Sequence, residues 1–120
     1  MITIEPRPVQ FSAAHWLPTM PDGHRCRRMH GHTYQVSVEV GGDLLGGMLP
    51  DYAEVTACVR GACDEIDHRT LNDIEGLANP TTELLVLWLV ERIRPGIEVL
   101  GGELVQLVVD EGGHKARWRP

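Results

Sequence analysis

The sequence predicts an α+β fold in which an antiparallel sheet of four strands carries two helices, inserted between the second and third strands. Two observations support this prediction. Short segments with strand-like patterns occur as a pair at each end of the chain, and two longer segments with helical periodicity lie between the pairs. No internal repeat or linker interrupts this order, so we expect one domain that spans residues 1–120.

The two N-terminal strands differ in how clearly the sequence defines them. The first is predicted over residues 2–12, where Pro6 and Pro8 indicate an edge strand or a bulge. A turn-rich loop over residues 17–29 follows, and residues 33–40 then alternate strictly between polar and apolar side chains. A four-stranded sheet has two open edges, and oligomerisation through them would cover both.

The rest of the chain contains two helices and two further strands. In order, we predict a helix over 52–66, a long connection over 67–80, a helix over 84–93 and strands over 104–109 and 115–119. Pro80 lies where we expect the second helix to start, and Gly96 with the glycine pair at 101–102 lies where we expect it to end. This helix is apolar almost all round, which predicts heavy burial. The glycine pair at 112–113 predicts a tight turn between the last two strands.

Composition and charge exclude several classes of function. The formal net charge is −6 at pH 7, which disfavours binding to nucleic acid or to an anionic membrane. No apolar run approaches the ~20 residues that cross a bilayer, and no signal-peptide pattern is present, so we expect a cytoplasmic protein. Three cysteines do not form a disulfide framework, and Cys58 and Cys63 are expected to be small buried hydrophobic residues.

A cluster of cationic side chains departs from this acidic balance. Its members are His24, Arg25, Arg27, Arg28 and His30. A local cationic patch on an acidic protein indicates a small anionic ligand such as phosphate, although a solvated loop has the same composition.

Three histidines have the arrangement of metal ligands. His30 and His32 flank Gly31 at the start of a strand, and residues two apart in extended backbone point to the same face. We expect Gly31 to relieve crowding on the opposite face. If the first two strands pair antiparallel, His15 faces this pair, and three imidazoles with an open fourth position are typical of catalytic zinc. Cys26 is the competing fourth ligand, which would close a structural site.

Two acidic segments complete the set of candidate groups. Asp67 adjoins His68 in the long connection, and a carboxylate beside an imidazole can fix its tautomer. Together with Cys26 they form a candidate acid–base system. Glu111 follows an apolar strand and can accept two parallel N–H bonds from a guanidine-like edge. A solvated acid at the turn explains Glu111 equally well at this point.

Several segments together resemble a known family. They are FSAAHWLP, PDGHRCRRMHGHTY, PDYAEV and IDHRTLNDIEGLANPTTE, followed by the late Glu111. The chain resembles the 6-pyruvoyltetrahydropterin synthase family over essentially its whole length, and within it the bacterial 6-carboxy-5,6,7,8-tetrahydropterin synthases of queuosine biosynthesis. The resemblance implies the tunnelling fold (T-fold), in which subunits join sheet edges into trimeric barrels that stack as hexamers. We therefore expect a homo-oligomer with interfacial active sites.

The resemblance also implies a role for each candidate residue. The implied zinc ligands are His15, His30 and His32. The implied proton-transfer groups are Cys26 as general base, His68 relayed by Asp67, and Glu111, which also anchors the pterin. The implied pocket residues are Thr81, Thr82 and Glu83. As our own hypothesis, Arg25, Arg27 and Arg28 receive the triphosphate of the substrate.

The implied reaction converts 7,8-dihydroneopterin triphosphate to 6-carboxytetrahydropterin with release of acetaldehyde and triphosphate. The alternatives are elimination of triphosphate without side-chain cleavage, as in a 6-pyruvoyltetrahydropterin synthase, and a non-catalytic zinc module with Cys26 as a ligand. The chain departs from the family pattern at Gly112, where relatives often have threonine, at Arg27, where the residue is often small, and at Tyr52, where phenylalanine is usual.

Overall fold

The computed structural model describes all 120 residues, and its element order confirms the predicted fold. The strands and helices are β1 (Val9–His15), β2 (His30–Gly41), α1 (Tyr52–Asp64), α2 (Thr82–Val99), β3 (Glu103–Glu111) and β4 (His114–Trp118). The four strands form one antiparallel sheet in the order β1-β2-β3-β4. Short 3₁₀ turns occur at Arg25–Arg27 and Leu71–Asp73.

Both helices pack on one face of the sheet and enclose the core. Alternate residues of β2 from Tyr34 to Val40 are buried, as the sequence pattern predicted. They meet a stripe of fully buried α2 side chains, which consists of Leu85, Leu89, Ile93 and Ile97. The opposite side of α2 is more open than its composition suggested, since Leu84 and Leu87 are 42% and 50% exposed. Neither helix has the length and apolar character needed to cross a membrane.

The first strand begins later and ends later than predicted. It starts at Val9 rather than at residue 2, and Ile4 forms only an isolated bridge with Val40. The prolines at 6 and 8 explain the gap, because proline has no N–H to donate to a strand ladder. At the other end, β1 continues through His15, so this histidine belongs to the sheet.

The second helix starts after Pro80 and runs past Gly96. Thr81 caps it by accepting the N–H of Leu84 at 3.2 Å, so Pro80 lies outside the helix. The helix continues past Gly96 to Val99, so the prediction is wrong for Gly96, while the glycine pair at 101–102 does follow the helix end. A Cβ placed on Gly96 would lie 2.5 Å from Sγ of Cys58, so this glycine permits close contact between α1 and α2.

The two edges of the sheet differ in how they are covered. Along β1, the backbone N–H of Ala14 donates to Arg69 O at 3.0 Å, and the backbone N–H of His68 donates to Ser12 O at 2.6 Å. The connection between the helices therefore protects the end of β1. Strand β4 is the other edge of the sheet, and its outer side faces no further strand of the chain.

Candidate metal centre and active site

Strand pairing brings the three predicted histidines together. His15, the last residue of β1, pairs with His30, the first residue of β2, while His32 pairs with Ala13. One ligand nitrogen from each imidazole lies within 4.8 Å of the others. The antiparallel register thus builds the cluster that the sequence predicted.

Two of the imidazoles form hydrogen bonds through Nδ1 that leave no hydrogen on Nε2, the nitrogen that faces the cluster. Nδ1 of His15 is 2.9 Å from Pro80 O, and Nδ1 of His30 is 2.8 Å from Arg28 O. A carbonyl can only accept, so each Nδ1 carries the hydrogen and each neutral ring keeps a lone pair on Nε2. These two Nε2 atoms lie 2.9 Å apart. Two lone pairs at that distance require a shared proton or a cation between them.

The cluster fits a bound metal ion. Burial lowers the pKa of His15, whose side chain is 1% exposed, and so favours the neutral form that coordinates metals. Backbone carbonyls that accept from the outer ring nitrogens are the usual support for such ligands. Nitrogen ligands on a tetrahedral ion with bonds of about 2.0–2.1 Å are roughly 3.3 Å apart. Small shifts of these side chains would be enough to reach that spacing.

Cys26 lies beside this cluster without belonging to it. Its thiol is outside the group of atoms that lie within 4.8 Å of one another. The 3₁₀ turn holds Cys26 through its backbone, because its N–H donates to Nδ1 of His24 at 3.0 Å and its carbonyl accepts from Leu17 at 2.7 Å. Cys26 is half-buried and lines the same cavity as the three imidazoles. This cavity has a volume of about 870 Å³.

Glu111 contacts the histidine cluster and not the solvent at the turn. Its Oε2 accepts from Oγ1 of Thr82 at 2.7 Å, and its Oε1 lies 3.4 Å from Nε2 of His32. The neighbouring Asp110 is the acid that serves the turn, since its Oδ1 accepts the N–H of Gly113 at 2.7 Å. The interpretation of Glu111 as a solvated turn acid is therefore wrong.

The start of α2 forms another wall of the cavity. Thr81, Thr82 and Glu83 all line it, and their part in a pterin pocket stays a prediction. Thr81 caps the helix and Thr82 holds Glu111, so the two threonines have different tasks.

Only part of the cationic cluster faces the cavity. Arg25 and Arg28 line it. Arg27 does not, because its guanidinium donates to Pro18 O at 3.1 Å and to Met20 O at 3.0 Å. The expectation that Arg27 faces an anionic ligand is wrong, and this side chain instead ties the loop together.

Asp67 and His68 form the predicted pair, but at a different cavity. Oδ1 of Asp67 accepts from Nδ1 of His68 at 2.9 Å and from the N–H of Ser12 at 3.0 Å. The bond from Ser12 and the contact with His68 lower the pKa of Asp67. His68 has φ 59°, a left-handed conformation that is rare outside glycine and often marks functional positions. It lines a second cavity with Gly31 and Thr33, whereas Cys26 lines the first, and His32 is the one residue that lines both.

Gly31 does not relieve crowding in the way we expected. A Cβ placed on it would make an ordinary contact of 3.7 Å with Ala13 O. Its open side faces the second cavity, beside His68. Gly31 therefore adds no side chain of its own to that cavity.

A family model described as 6-pyruvoyl tetrahydropterin synthase matches residues 4–117. The chain belongs to this family. The 6-pyruvoyl tetrahydropterin synthase from Caenorhabditis elegans superposes with a TM-score of 0.83 at 24% identity, covering 99% of this chain and 95% of that one. The α+β arrangement seen here is thus the tunnelling fold of the pterin synthases.

Two relatives of this pterin synthase-family chain carry different names. A protein from Bacillus subtilis, named 6-carboxy-5,6,7,8-tetrahydropterin synthase, is 33% identical over 113 residues, which cover 86% of this chain and 75% of that one. A protein from Pyrococcus furiosus, named dihydroneopterin monophosphate aldolase, is 38% identical over 87 residues, which cover 72% of this chain and 71% of that one. Family membership alone does not choose between these activities.

The structure explains one departure from the family pattern. Gly112 and Gly113 have φ values of 57° and 98° and join β3 to β4 in a two-residue turn. A β-branched threonine at 112 would be strained at this φ, although no atom lies within 4 Å of its Cβ position. The short turn therefore accounts for glycine in this pterin synthase-family chain.

Sequence reasoning missed two residues near the site. His114, which pairs with Glu111, lines the metal cavity. Tyr34 was assigned only to a strand, yet its ring lies 5.8 Å from that of His32 between ring centroids. The spacing carried a signal for Tyr34, because residues 30, 32 and 34 share one face of β2.

Proposed function

We propose that the protein is a zinc-dependent lyase of pterin metabolism that converts 7,8-dihydroneopterin triphosphate and water to 6-carboxy-5,6,7,8-tetrahydropterin, acetaldehyde and triphosphate. The observation that carries this proposal is the convergence of three imidazoles beside a thiol that is not one of their group. A metal with an open position next to an uncoordinated sulfur is the arrangement of a catalytic site. We place the reaction in the cytoplasm and in queuosine biosynthesis.

Zinc suits the donor set of His15, His30 and His32, since three neutral imidazoles with a free position are a common catalytic zinc site. When bound, zinc acts as a Lewis acid that acidifies the side-chain hydroxyls of the substrate and the adjacent C–H bond. Pro80 O and Arg28 O orient two of these ligands through their outer nitrogens.

The remaining groups of the cavity bind the substrate and move its protons. Glu111 accepts the 2-amino and N3 hydrogens of the pterin, while Thr82 holds its carboxylate in place. The sulfur of Cys26 removes a proton from the substrate side chain, and Arg25 and Arg28 receive the phosphate groups that leave. Asp67 keeps Nδ1 of His68 protonated, so that Nε2 of His68 can exchange a proton with the substrate.

We propose that the active site lies between subunits of a homo-oligomer, a trimer or a hexamer. Cys26 and His68 line different cavities of one chain, which have only His32 in common, and this separation supports a site that combines the two groups from two chains. The open outer side of β4 offers the edge through which subunits would join.

Mixing two inactive variants tests this arrangement. Cys26→Ala and His68→Ala are each expected to be inactive alone, because each lacks one proton-transfer group. Dissociated and reassembled together, they should regain activity at sites that combine an intact Cys26 with an intact His68. The parallel mixture of Cys26→Ala with Glu111→Ala is the control, because both residues come from the same cavity and no mixed site holds both. Failure of the first mixture to regain activity would place both groups in one chain.

A second candidate function is aldol cleavage of dihydroneopterin monophosphate, favoured by the Pyrococcus furiosus relative at 38% identity. The engagement of Arg27 within its loop also supports it, because fewer arginines then remain for a triphosphate. This reaction would use the same metal and the same base to break a carbon–carbon bond of the side chain. A third outcome, elimination of triphosphate with the side chain kept, is the 6-pyruvoyltetrahydropterin synthase reaction.

Product analysis separates these candidates. Zinc-loaded protein is incubated with the triphosphate and the monophosphate of 7,8-dihydroneopterin, and products are identified by mass spectrometry. Acetaldehyde with 6-carboxytetrahydropterin supports the first proposal, a phosphorylated two-carbon aldehyde supports the aldolase, and an intact three-carbon side chain supports the pyruvoyl product. Absence of any product from a protein that holds zinc would indicate a non-catalytic zinc module. Cys26→Ala protein is the matched control.

A further inference from the structure

Tyr34 presents a buried polar group that the proposed reaction does not use. Its side chain is 0% exposed, and its hydroxyl has no hydrogen-bond partner in the structure. Buried side-chain polar atoms are paired in the large majority of cases, so an unpaired hydroxyl at a reactive site calls for a function. The remaining side-chain polar atoms that are buried to this degree are all paired.

The surroundings of Tyr34 fix its ring beside two of the three histidines. Its ring stacks on Phe11, with centroids 4.9 Å apart and planes inclined by 11°, which fixes its position. It makes edge contacts with His15 and His32, at centroid distances of 6.4 and 5.8 Å. These contacts set the direction of the ring without involving its oxygen.

Glu111 is the acceptor nearest in the sheet register. Tyr34 and Glu111 are paired residues of β2 and β3, so their side chains project from the same face at neighbouring positions. The hydroxyl of Tyr34 and the carboxylate of Glu111 lie near each other without meeting the geometry of a hydrogen bond.

We infer that Tyr34 is a positioning residue whose hydroxyl donates to Glu111 and, with Thr82, holds this carboxylate for the pterin ring. This inference rests on the proposed function. Recognition of the 2-amino and N3 hydrogens needs both carboxylate oxygens in one plane, facing the ligand. Thr82 fixes only Oε2, and Oε1 lies beside His32. The hydroxyl of Tyr34 would supply the second fixed direction of this carboxylate.

Tyr34→Phe tests this role because it keeps the ring, its stacking on Phe11 and the packing, and removes only the oxygen. Binding of 7,8-dihydroneopterin to zinc-loaded protein is measured by fluorescence titration. We expect Tyr34→Phe to weaken binding about tenfold, the effect of losing one hydrogen bond to a charged group. Thr82→Val should do the same. Tyr52→Phe, which alters a tyrosine that is 60% exposed, is the matched control and should bind normally.

A second ligand shows whether the lost affinity concerns the carboxylate. A lumazine, which carries an oxygen in place of the 2-amino group, cannot donate to Glu111 from that position. Its binding should change less than twofold between wild-type protein and Tyr34→Phe. A merely structural role for Tyr34 would weaken both ligands equally and would overturn the inference.

Thermal unfolding supplies a readout that needs no pterin. If the hydroxyl donates to Glu111, Tyr34→Phe should lower the melting temperature of zinc-loaded wild-type protein but not that of a Glu111→Ala background. A raised melting temperature with unchanged pterin affinity would mean that the hydroxyl is merely buried, and would refute the role. If wild-type protein binds no pterin, the proposed function fails, while the melting comparison still decides whether the two side chains are coupled.

Discussion

Replacement of Cys26 by alanine separates a catalytic sulfur from a metal ligand. The structure places the thiol in the metal cavity but outside the group formed by the three imidazoles. The backbone bonds that hold the 3₁₀ turn are independent of the thiol, since they involve the N–H and the carbonyl of residue 26. The variant should therefore keep the loop, and its free energy of unfolding should change by less than about 0.5 kcal/mol.

The expected effect on zinc affinity follows from this geometry. Loss of a mere supporting partner of a metal ligand typically costs roughly 10–100-fold in affinity, so loss of a ligand itself should exceed about 100-fold. Because Cys26 is outside the cluster, we expect Cys26→Ala to change the zinc dissociation constant by less than about threefold, or roughly 0.7 kcal/mol. His30→Ala, which removes one of the three imidazoles, should cost more than about 100-fold.

Competition with a chromophoric chelator at fixed pH measures both constants on the same preparation. Stoichiometry is checked by elemental analysis, with one zinc per chain expected for wild-type protein and for Cys26→Ala. A loss of affinity in Cys26→Ala that matches the loss in His30→Ala would make the thiol a ligand. It would refute the assignment of Cys26 as the base and favour the non-catalytic zinc module.

Three further predictions concern packing, thiol reactivity and the last turn. Gly96→Ala should lower the free energy of unfolding, measured by urea denaturation, by about 1–3 kcal/mol, because the new Cβ would lie 2.5 Å from Sγ of Cys58. An unchanged midpoint would mean that the two helices separate easily. Iodoacetamide at pH 8, with the labelled residues identified by mass spectrometry, should modify Cys26 first and leave Cys63 unmodified, because Cys63 is 0% exposed and burial raises its pKa to about 12. Rapid labelling of Cys63 would contradict its burial. Gly112→Thr should lower the free energy of unfolding, measured by thermal denaturation, by about 1–3 kcal/mol, since the φ of 57° at this position is strained for threonine. A stability equal to that of wild-type protein would show that the turn can rearrange.

Much of the fold was predictable because local patterns and tertiary structure agree. The alternation over residues 33–40 matches the buried face of β2, and the glycine pair at 112–113 forms the tight turn. Element ends were less accurate, since they depend on contacts distant in sequence. Gly96 indicated a helix end, yet it lies within α2, where Cys58 of α1 packs closely against it.

The candidate site was predictable where sequence spacing fixes geometry. His30 and His32 share a face of one strand, and antiparallel pairing then brings His15 to them. Side-chain partners were not predictable in this way. Nothing in the sequence indicated that Arg27 would bind carbonyls of its own loop, or that Glu111 at the end of β3 would meet Thr82 at the start of α2.

The direct pairing of His15 with His30 has a consequence for how such a protein can diversify. The segment between them leaves the sheet at one metal ligand and returns at the other, and the ladder of β1 and β2 closes its base. Its length and composition can therefore change over evolutionary time while the ion keeps its anchorage. Because this same segment carries Cys26 and two cavity-facing arginines, exchange of a single stretch of chain would change several of the groups that line the cavity.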